Sequence, residues 1–235
     1  MDDALRARLY EAYATTHAGT GSAEGAVDLA ATRDVIRHLP GDKGVSVVDL
    51  GCGQGSLIRA ISQAGYTNVT GIDISPEQVE IARQRGANNV LLGDFHELLK
   101  PDSVDVIVAT DFFEHFTKEE VVRALDSCYL ALRIGGLLIF RVPNAVSPFG
   151  GNYRYGDFTH ETSFTKRSLQ QLANVAGFQS AQFFSCDPIQ HGLKSGARKV
   201  IWGVSSSLLK LSLAAETGQL KGHIVSQNLV AVYRK

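Results

Sequence analysis

The chain has 235 residues, 44% of them hydrophobic, enough for one good core and most simply a single domain over residues 1–235. A formal net charge of −1 supplies no basic footprint and argues against a nucleic-acid partner. Three distant cysteines (Cys52, Cys128, Cys186) point to neither a disulfide framework nor a zinc cluster. With no leader-like start and no apolar span of about 20 residues, a cytoplasmic protein is expected.

Residues 2–17 place Leu5, Leu9 and Tyr13 at helical spacing, with Tyr10 and His17 nearby, which predicts an amphipathic helix capping the domain. Gly19, Gly21 and Gly25 mark a connection, and a second helix runs from about Ala26 to Leu39, ended by Pro40-Gly41. Val45 to Leu50 then reads as a strand buried on both faces, followed by Gly51-Cys52-Gly53-Gln54-Gly55 and a helix from Ser56 to Ala64. Strand, glycine turn and helix start together make a nucleotide site at the carboxyl edge of a parallel sheet. A dinucleotide fingerprint, G-x-G-x-x-G, needs glycine at position 56, where this chain has Ser56. Asp49, two residues before Gly51, would repel a pyrophosphate and suits a cationic or amine-bearing ligand.

The run Val47-Val48-Asp49-Leu50-Gly51-Cys52-Gly53-Gln54-Gly55 resembles the first motif of the class I S-adenosylmethionine (SAM) methyltransferases, hydrophobic-hydrophobic-Asp-x-Gly-x-Gly-x-Gly. The resemblance implies an α/β fold: a doubly wound, seven-stranded, mostly parallel sheet with an antiparallel last strand. It implies SAM as cofactor and S-adenosylhomocysteine as product, held by Asp49, Gly51, Cys52 and Gly53. It also implies a second reading of residues 1–40, a Tyr-containing helical lid over the cofactor.

A second strand, Val69 to Pro76, ends in Asp73, 24 positions after Asp49, near the spacing at which an acid takes ribose hydroxyls. Ser75 is the expected helix cap, with Pro76 at the first helical position and Ile74 packing on adenine. The third strand, Asn89 to Phe95, ends in Asp94. The resemblance gives Asp94 the adenine amino group and Phe95 a ring nitrogen through its backbone N–H; the alternative for Asp94 is a solvated turn. A fourth strand, 103–110, runs into Asp111-Phe112-Phe113-Glu114-His115-Phe116, which resembles the Asp-x-x-Glu-His signature of small-molecule and lipid-quinone methyltransferases. There Asp111 would flank the methionine ammonium, while Glu114 and His115 are either structural or a wall of the acceptor pocket. Thr117 and Glu120 form a capping box for a helix from Lys118 to about Arg133, ended by Gly135-Gly136, before a fifth strand, 137–144.

Residues 145–163 show neither period, and a long loop rich in aromatics inside a compact domain is a functional one. Tyr153, Arg154, Tyr155, Asp157, His160 and Glu161 suit the gripping of a hydroxylated acceptor. This stretch also resembles a segment of methyltransferases in bacterial polysaccharide and natural-product pathways. Small-molecule or glycan O-methylation is therefore expected, with a sugar hydroxyl first and a quinone or polyketide-like acceptor second. Two other classes stay open, a non-catalytic SAM-binding module and a nicotinamide-dependent oxidoreductase. His160 is the expected general base, oriented by Asp157 or Glu161, with His115 second. Asp157, His160 and Glu161 are oxygen and nitrogen donors that leave a divalent metal open, but nothing in their spacing is specific and no metal is expected. A helix over 164–177, a strand over 179–185 and a last strand over 228–233 complete the domain. Between the last two strands lies an insertion, 187–226, with an amphipathic stretch at 198–211. That stretch is either a packed helix or subunit contact, or a contact with a membrane surface or lipid-linked substrate. A monomer or homodimer is expected.

Overall fold

The computed structural model describes residues 5, 8, 9, 32–188 and 192–235. Tyr10, Tyr13, His17 and the glycines of the first connection, on which the lid expectation rests, lie outside the described residues. Of the second expected helix, residues 32–36 are described and helical.

Seven strands form one sheet in the order β3-β2-β1-β4-β5-β7-β6. They are β1 (Ser46–Leu50), β2 (Asn68–Asp73), β3 (Val90–Leu92), β4 (Val104–Thr110), β5 (Leu132–Pro143), β6 (Ser180–Ser185) and β7 (Asn228–Arg234). β1 pairs in parallel with both β2 and β4, whereas β7 runs antiparallel to both neighbours. The expected mostly parallel sheet with a reversed last strand is therefore present. Helices α1 (Ser56–Gln63), α2 (Pro76–Gln84), α3 (Phe95–Leu98), α4 (Lys118–Ala131), α5 (Gly150–Arg154), α6 (Lys166–Val175) and α7 (Gly192–Thr217) complete the described elements, with a 3₁₀ turn at Phe113–His115.

The strands lack polar alternation because both sheet faces are covered. On one face Leu50, Ile107, Leu138 and Phe140 meet Val121, Leu125 and Cys128 of α4 and Leu169 of α6. On the other, Val47, Val69, Val106 and Ile139 meet Leu57, Ile58 and Ile61 of α1 and Val79 of α2. β1 is flanked by its two crossover partners, so the crevice at its carboxyl end lies at the topological switch point.

Several boundaries differ from expectation, each for a local reason. The third strand is only three residues long, because Asp94 caps α3 and Phe95 opens that helix. α4 stops at Ala131: Leu132 is fully buried and pairs with Val104, the ladder resuming at Val106↔Leu137. Gly135, at φ +81°, thus serves a detour within β5 and not a helix stop. The capping box of Thr117 and Glu120 is present, and a second one, Thr165 with Ser168, delays the start of α6. The insertion holds one 26-residue helix, α7, and Val200, Ile201, Val204, Leu208 and Leu211 on it are exposed, which corrects the expectation of a tucked core helix. Among the described residues no helix is long and apolar enough to cross a membrane.

Candidate active site

The glycine turn is built so that its backbone is spent internally. Gly51 and Cys52 donate their N–H groups to the Ile72 carbonyl (2.9 and 3.2 Å), and Gly55 donates to the Cys52 carbonyl (2.9 Å). Gly53 donates to Asp73 Oδ2 at 2.8 Å. Although the helix that the turn opens at Ser56 has no side-chain cap, those four donors are not available to a phosphate. This disfavours a dinucleotide and leaves a phosphate-free nucleoside as the better ligand. All three glycines have positive φ. A Cβ at Gly51 would lie 2.5 Å from Phe112 Cδ2, whereas one at Gly53 would meet only Gln78 Oε1 at 3.9 Å. Gly53 therefore faces open space.

Asp73 stands at the end of β2 with each oxygen pinned, Oδ2 by Gly53 and Oδ1 by the Ser75 amide at 2.8 Å. The Ile74 backbone also donates to it, and since a carboxylate has about four acceptor positions, capacity for a ribose hydroxyl remains. Burial raises its pKa, against the lowering effect of its backbone donors. Ile74 beside it is 61% exposed, an apolar side chain waiting for a flat partner. Asp94 Oδ1 accepts from the His96 amide (2.8 Å), so the carboxylate does cap a helix, and the Phe95 ring is buried in the core. Cys52 contributes packing only: it is buried against the site a Gly71 side chain would occupy, and burial pushes its thiol far above the usual range.

Asp49 is the outlier. It is fully buried in β1 and its Oδ1 has no hydrogen-bond partner among the described residues. Burial, and then the Asp73 carboxylate, raise its pKa well above the ordinary value. An orphaned buried acid at the nucleoside crevice favours a ligand that brings a positive charge. Asp111, or a neighbour, was the expected flank of the methionine ammonium. It sits at φ +52° at the end of β4, and its Oδ2 accepts from the guanidinium of the buried Arg141 in β5. Its Oδ1, like Asp49 Oδ1, is buried with no hydrogen-bond partner among the described residues. Burial works against the Arg141 cation, but Asp111 more than offsets it and the guanidinium stays charged.

The acceptor side is assembled from two segments. The 3₁₀ turn supplies Glu114 and His115. The loop after β5 supplies Asp157, Thr159 and His160, and is stitched back when the Glu161 and Thr162 amides donate to the Glu114 carbonyl (2.7 and 3.0 Å). His115 and His160 rings lie 4.8 Å apart at 68°. His160 Nδ1 faces the Tyr153 carbonyl at 2.7 Å. A carbonyl only accepts, so Nδ1 carries the proton and Nε2 carries the lone pair of the neutral ring. Thr159 donates its hydroxyl to Asp157 Oδ1 (2.7 Å) and so accepts at 2.8 Å from His115 Nδ1, which fixes the same tautomer there. Burial, followed by His160, lowers the His115 pKa to about 4, so the ring is neutral near pH 7.

His160 is thus oriented by Tyr153, and not by Asp157 or Glu161 as expected; Asp157 orients His115 through Thr159. Arg154, expected to grip substrate, donates instead to the carbonyls of His160 and Glu161 and braces the loop. Tyr155 is 81% exposed under the Arg154 guanidinium and does not enter the cluster. Glu114 is fully buried, and neither oxygen has a hydrogen-bond partner in another described residue; burial, then Asp111, push its pKa well up. Arg141 and Thr159 were not anticipated. The one signal was a lone arginine inside the apolar run 137–142.

Residues 48–140 match the family model described as a methyltransferase domain. A ubiquinone biosynthesis O-methyltransferase of Actinobacillus pleuropneumoniae is 34% identical over 112 residues, covering 43% of this chain and 47% of that protein. The chain spans about half the length of the curated relatives it matches. A SAM-dependent methyltransferase structure from Thermotoga maritima superposes with a TM-score of 0.70 at 21% identity, covering 97% of this chain and 98% of that one. Phosphoethanolamine N-methyltransferase 2 of Haemonchus contortus, solved with SAM, gives 0.59 at 17% identity over 89% of this chain and 52% of that chain.

Proposed function

We propose that the chain is a SAM-dependent methyltransferase, a reading supported by its strand order and its matched methyltransferase domain, and that it methylates a hydroxyl oxygen of a sugar in a glycan, nucleotide-sugar or natural-product pathway. SAM supplies an electrophilic methyl group on a sulfonium. Asp49, Asp73, Ile74 and Asp94 are the residues that would hold it: an orphaned acid for the ammonium, a pinned acid for ribose, an apolar shelf and a helix-end acid for adenine.

The observation that carries the O-methylation reading is the pair of imidazoles, His115 and His160, 4.8 Å apart, with His160 Nδ1 committed to the Tyr153 carbonyl and its Nε2 left as the basic nitrogen. A hydroxyl needs its proton removed as the oxygen attacks, and a positioned imidazole does this near neutral pH. In the balanced step the oxygen–carbon bond forms, the carbon–sulfur bond breaks, and the hydroxyl proton passes to His160 Nε2. The products are a methyl ether and S-adenosylhomocysteine. Glu114 and the Asp111–Arg141 pair lie close enough to interact electrostatically with one another.

A second reading has its own support. A crevice of about 200 Å³ lies between the start of the loop (Val146, Pro148) and α7 (Leu209, Leu213), with Val225 closing it. This apolar flank, with the relative named for ubiquinone biosynthesis, favours a quinone-like phenol. The test is transfer of labelled methyl from SAM into soluble, lipid-extractable and polysaccharide fractions of a cell extract. Label in sugars or glycans supports the first reading and label in lipid the second; no labelled hydroxyl compound in any fraction refutes O-methylation. His160→Ala should lower turnover by about 10²–10⁴-fold with S-adenosylhomocysteine affinity unchanged.

A further inference from the structure

We propose that His115, Asp157 and His160 form a binding site for a divalent transition-metal ion of the zinc class. Each offers one ligand atom, and the three atoms lie within 4.8 Å of one another. Two imidazoles and one carboxylate are a donor set for zinc, cobalt, iron(II) or nickel, and a poor one for magnesium, which prefers oxygen. Bonds of about 2.0–2.2 Å put tetrahedral ligand atoms roughly 3.4 Å apart, so drawing the three side chains together by about 1 Å closes the set.

The surroundings are those of metal ligands. A ligating histidine donates its other ring N–H to a carbonyl or carboxylate, which fixes the tautomer and points the lone pair at the ion. His160 does this with the Tyr153 carbonyl at 2.7 Å. His115 does it through Thr159, which relays to Asp157 Oδ1, so the same small network orients two of the three ligands and holds the third. Thr159 Oγ1 and its amide both bind Asp157 Oδ1 (2.7 and 2.8 Å), which holds the carboxylate beside the two imidazoles. The charges agree. Asp157 and Glu114 share this pocket with Asp111, and the buried guanidinium there, Arg141, is already paired with Asp111. The other nearby guanidinium, Arg154, is bound to the carbonyls of His160 and Glu161.

Three protein ligands leave one position open, the pattern of a catalytic and not a structural ion. On the reading that the loop receives a hydroxylated acceptor, that position takes the acceptor oxygen. A bound cation lowers the pKa of a coordinated hydroxyl as it does that of water. The O–H bond then breaks with its proton passing to solvent, and the oxygen attacks the methyl carbon as the carbon–sulfur bond breaks. A His160 that ligates the ion cannot also take the proton, so an ion bound here replaces the imidazole-base step above and keeps only its hydroxyl acceptor. The ion would also clasp the loop to the end of β4.

The test is titration of the chelator-treated full chain with ZnCl2, and separately CoCl2, followed by equilibrium dialysis and by the visible absorbance of cobalt(II). One equivalent should bind, with cobalt bands of a four-coordinate nitrogen–oxygen site. Binding should weaken at least 10-fold in His115→Gln, His160→Gln and Asp157→Asn, each of which should still bind S-adenosylhomocysteine as evidence of folding. The absence of zinc and cobalt binding, or binding indifferent to all three substitutions, overturns the metal site. Retained, chelator-resistant methylation in that case leaves the imidazole-base reading standing. Metal binding that follows the three residues, in a protein that methylates no hydroxyl, upholds the site and refutes the O-methylation reading instead.

Discussion

Gly51 and Gly53 share one turn and one backbone hand, φ +63° and +50°, yet substitution by alanine should cost stability chiefly at the first and ligand affinity chiefly at the second. A Cβ in the left-handed region costs about 1–2 kcal/mol at either position. At Gly51 the new atom also falls 2.5 Å from Phe112 Cδ2 and 3.2 Å from Cε2. Phe112 cannot readily yield, because it is wedged edge-on against Phe95, Phe113 and Phe116 at centroid distances of 5.4, 5.4 and 4.9 Å. Overpacking of this kind adds about 1–3 kcal/mol. At Gly53 there is only Gln78 Oε1 at 3.9 Å, an ordinary contact. For a chain of this length each kcal/mol moves Tm by about 2–4 °C. Gly51→Ala should therefore melt roughly 4–20 °C below the parent, and Gly53→Ala roughly 2–8 °C below, both measured without ligand by circular dichroism. Calorimetric titration with S-adenosylhomocysteine should then show the Gly53 variant losing more than about tenfold in affinity, since its methyl enters the ligand's space. A Gly53→Ala protein that binds normally, or that melts as low as Gly51→Ala, would refute the reasoning.

Two further expectations concern buried charge. The Asp49 pKa is raised in the folded state, so below the unfolded value of about 4 both states hold the proton and its burial is harmless. As pH rises through the raised folded value, stability is lost; Asp49→Asn removes that slope. In urea unfolding without ligand, the Asp49→Asn variant should gain on the parent between pH 5 and pH 8 while binding S-adenosylhomocysteine more weakly, and an unchanged difference at the two pH values would count against it. Arg141→Met strips Asp111 of its guanidinium and should destabilise the chain by about 3–5 kcal/mol. Adding Asp111→Asn, which tolerates the same positive φ, should recover part of the loss; additive losses in the double variant would show that the pair is not coupled.

The cofactor half of the molecule was legible because local rules and tertiary demand coincide there. An apolar run buried on both faces, glycines at positive φ and an acid at each strand end have few other uses. The acceptor half was legible as a list of residues and not as a geometry. His115, Asp157 and His160 stand out in the sequence as chemistry, but that they meet depends on the Glu114 carbonyl catching two amides of a loop almost fifty residues away. Arg154 reads as a substrate contact because a polar side chain in a loop looks the same whether it faces a ligand or its own backbone. Gly135-Gly136 were misread for a related reason: glycine marks a helix end and a strand irregularity alike, and only the burial of Leu132 against Val104 decides between them.

The place of β7 has a consequence for how the chain is made. It is the last of the seven strands to leave the ribosome, yet it lies between β5 and β6, and β6 has no other neighbour in the sheet. β1 to β4 can pair while synthesis continues, each strand finding its partner already present. β6 cannot; for more than forty residues of growth it waits with both edges unsatisfied, and β5 waits with one. The nascent protein therefore passes through a state in which the half that binds nucleoside is formed and the other half presents open strand edges, the features that invite wrong pairing in partly made chains. Completion comes in a single event, when β7 enters the gap and satisfies both neighbours at once.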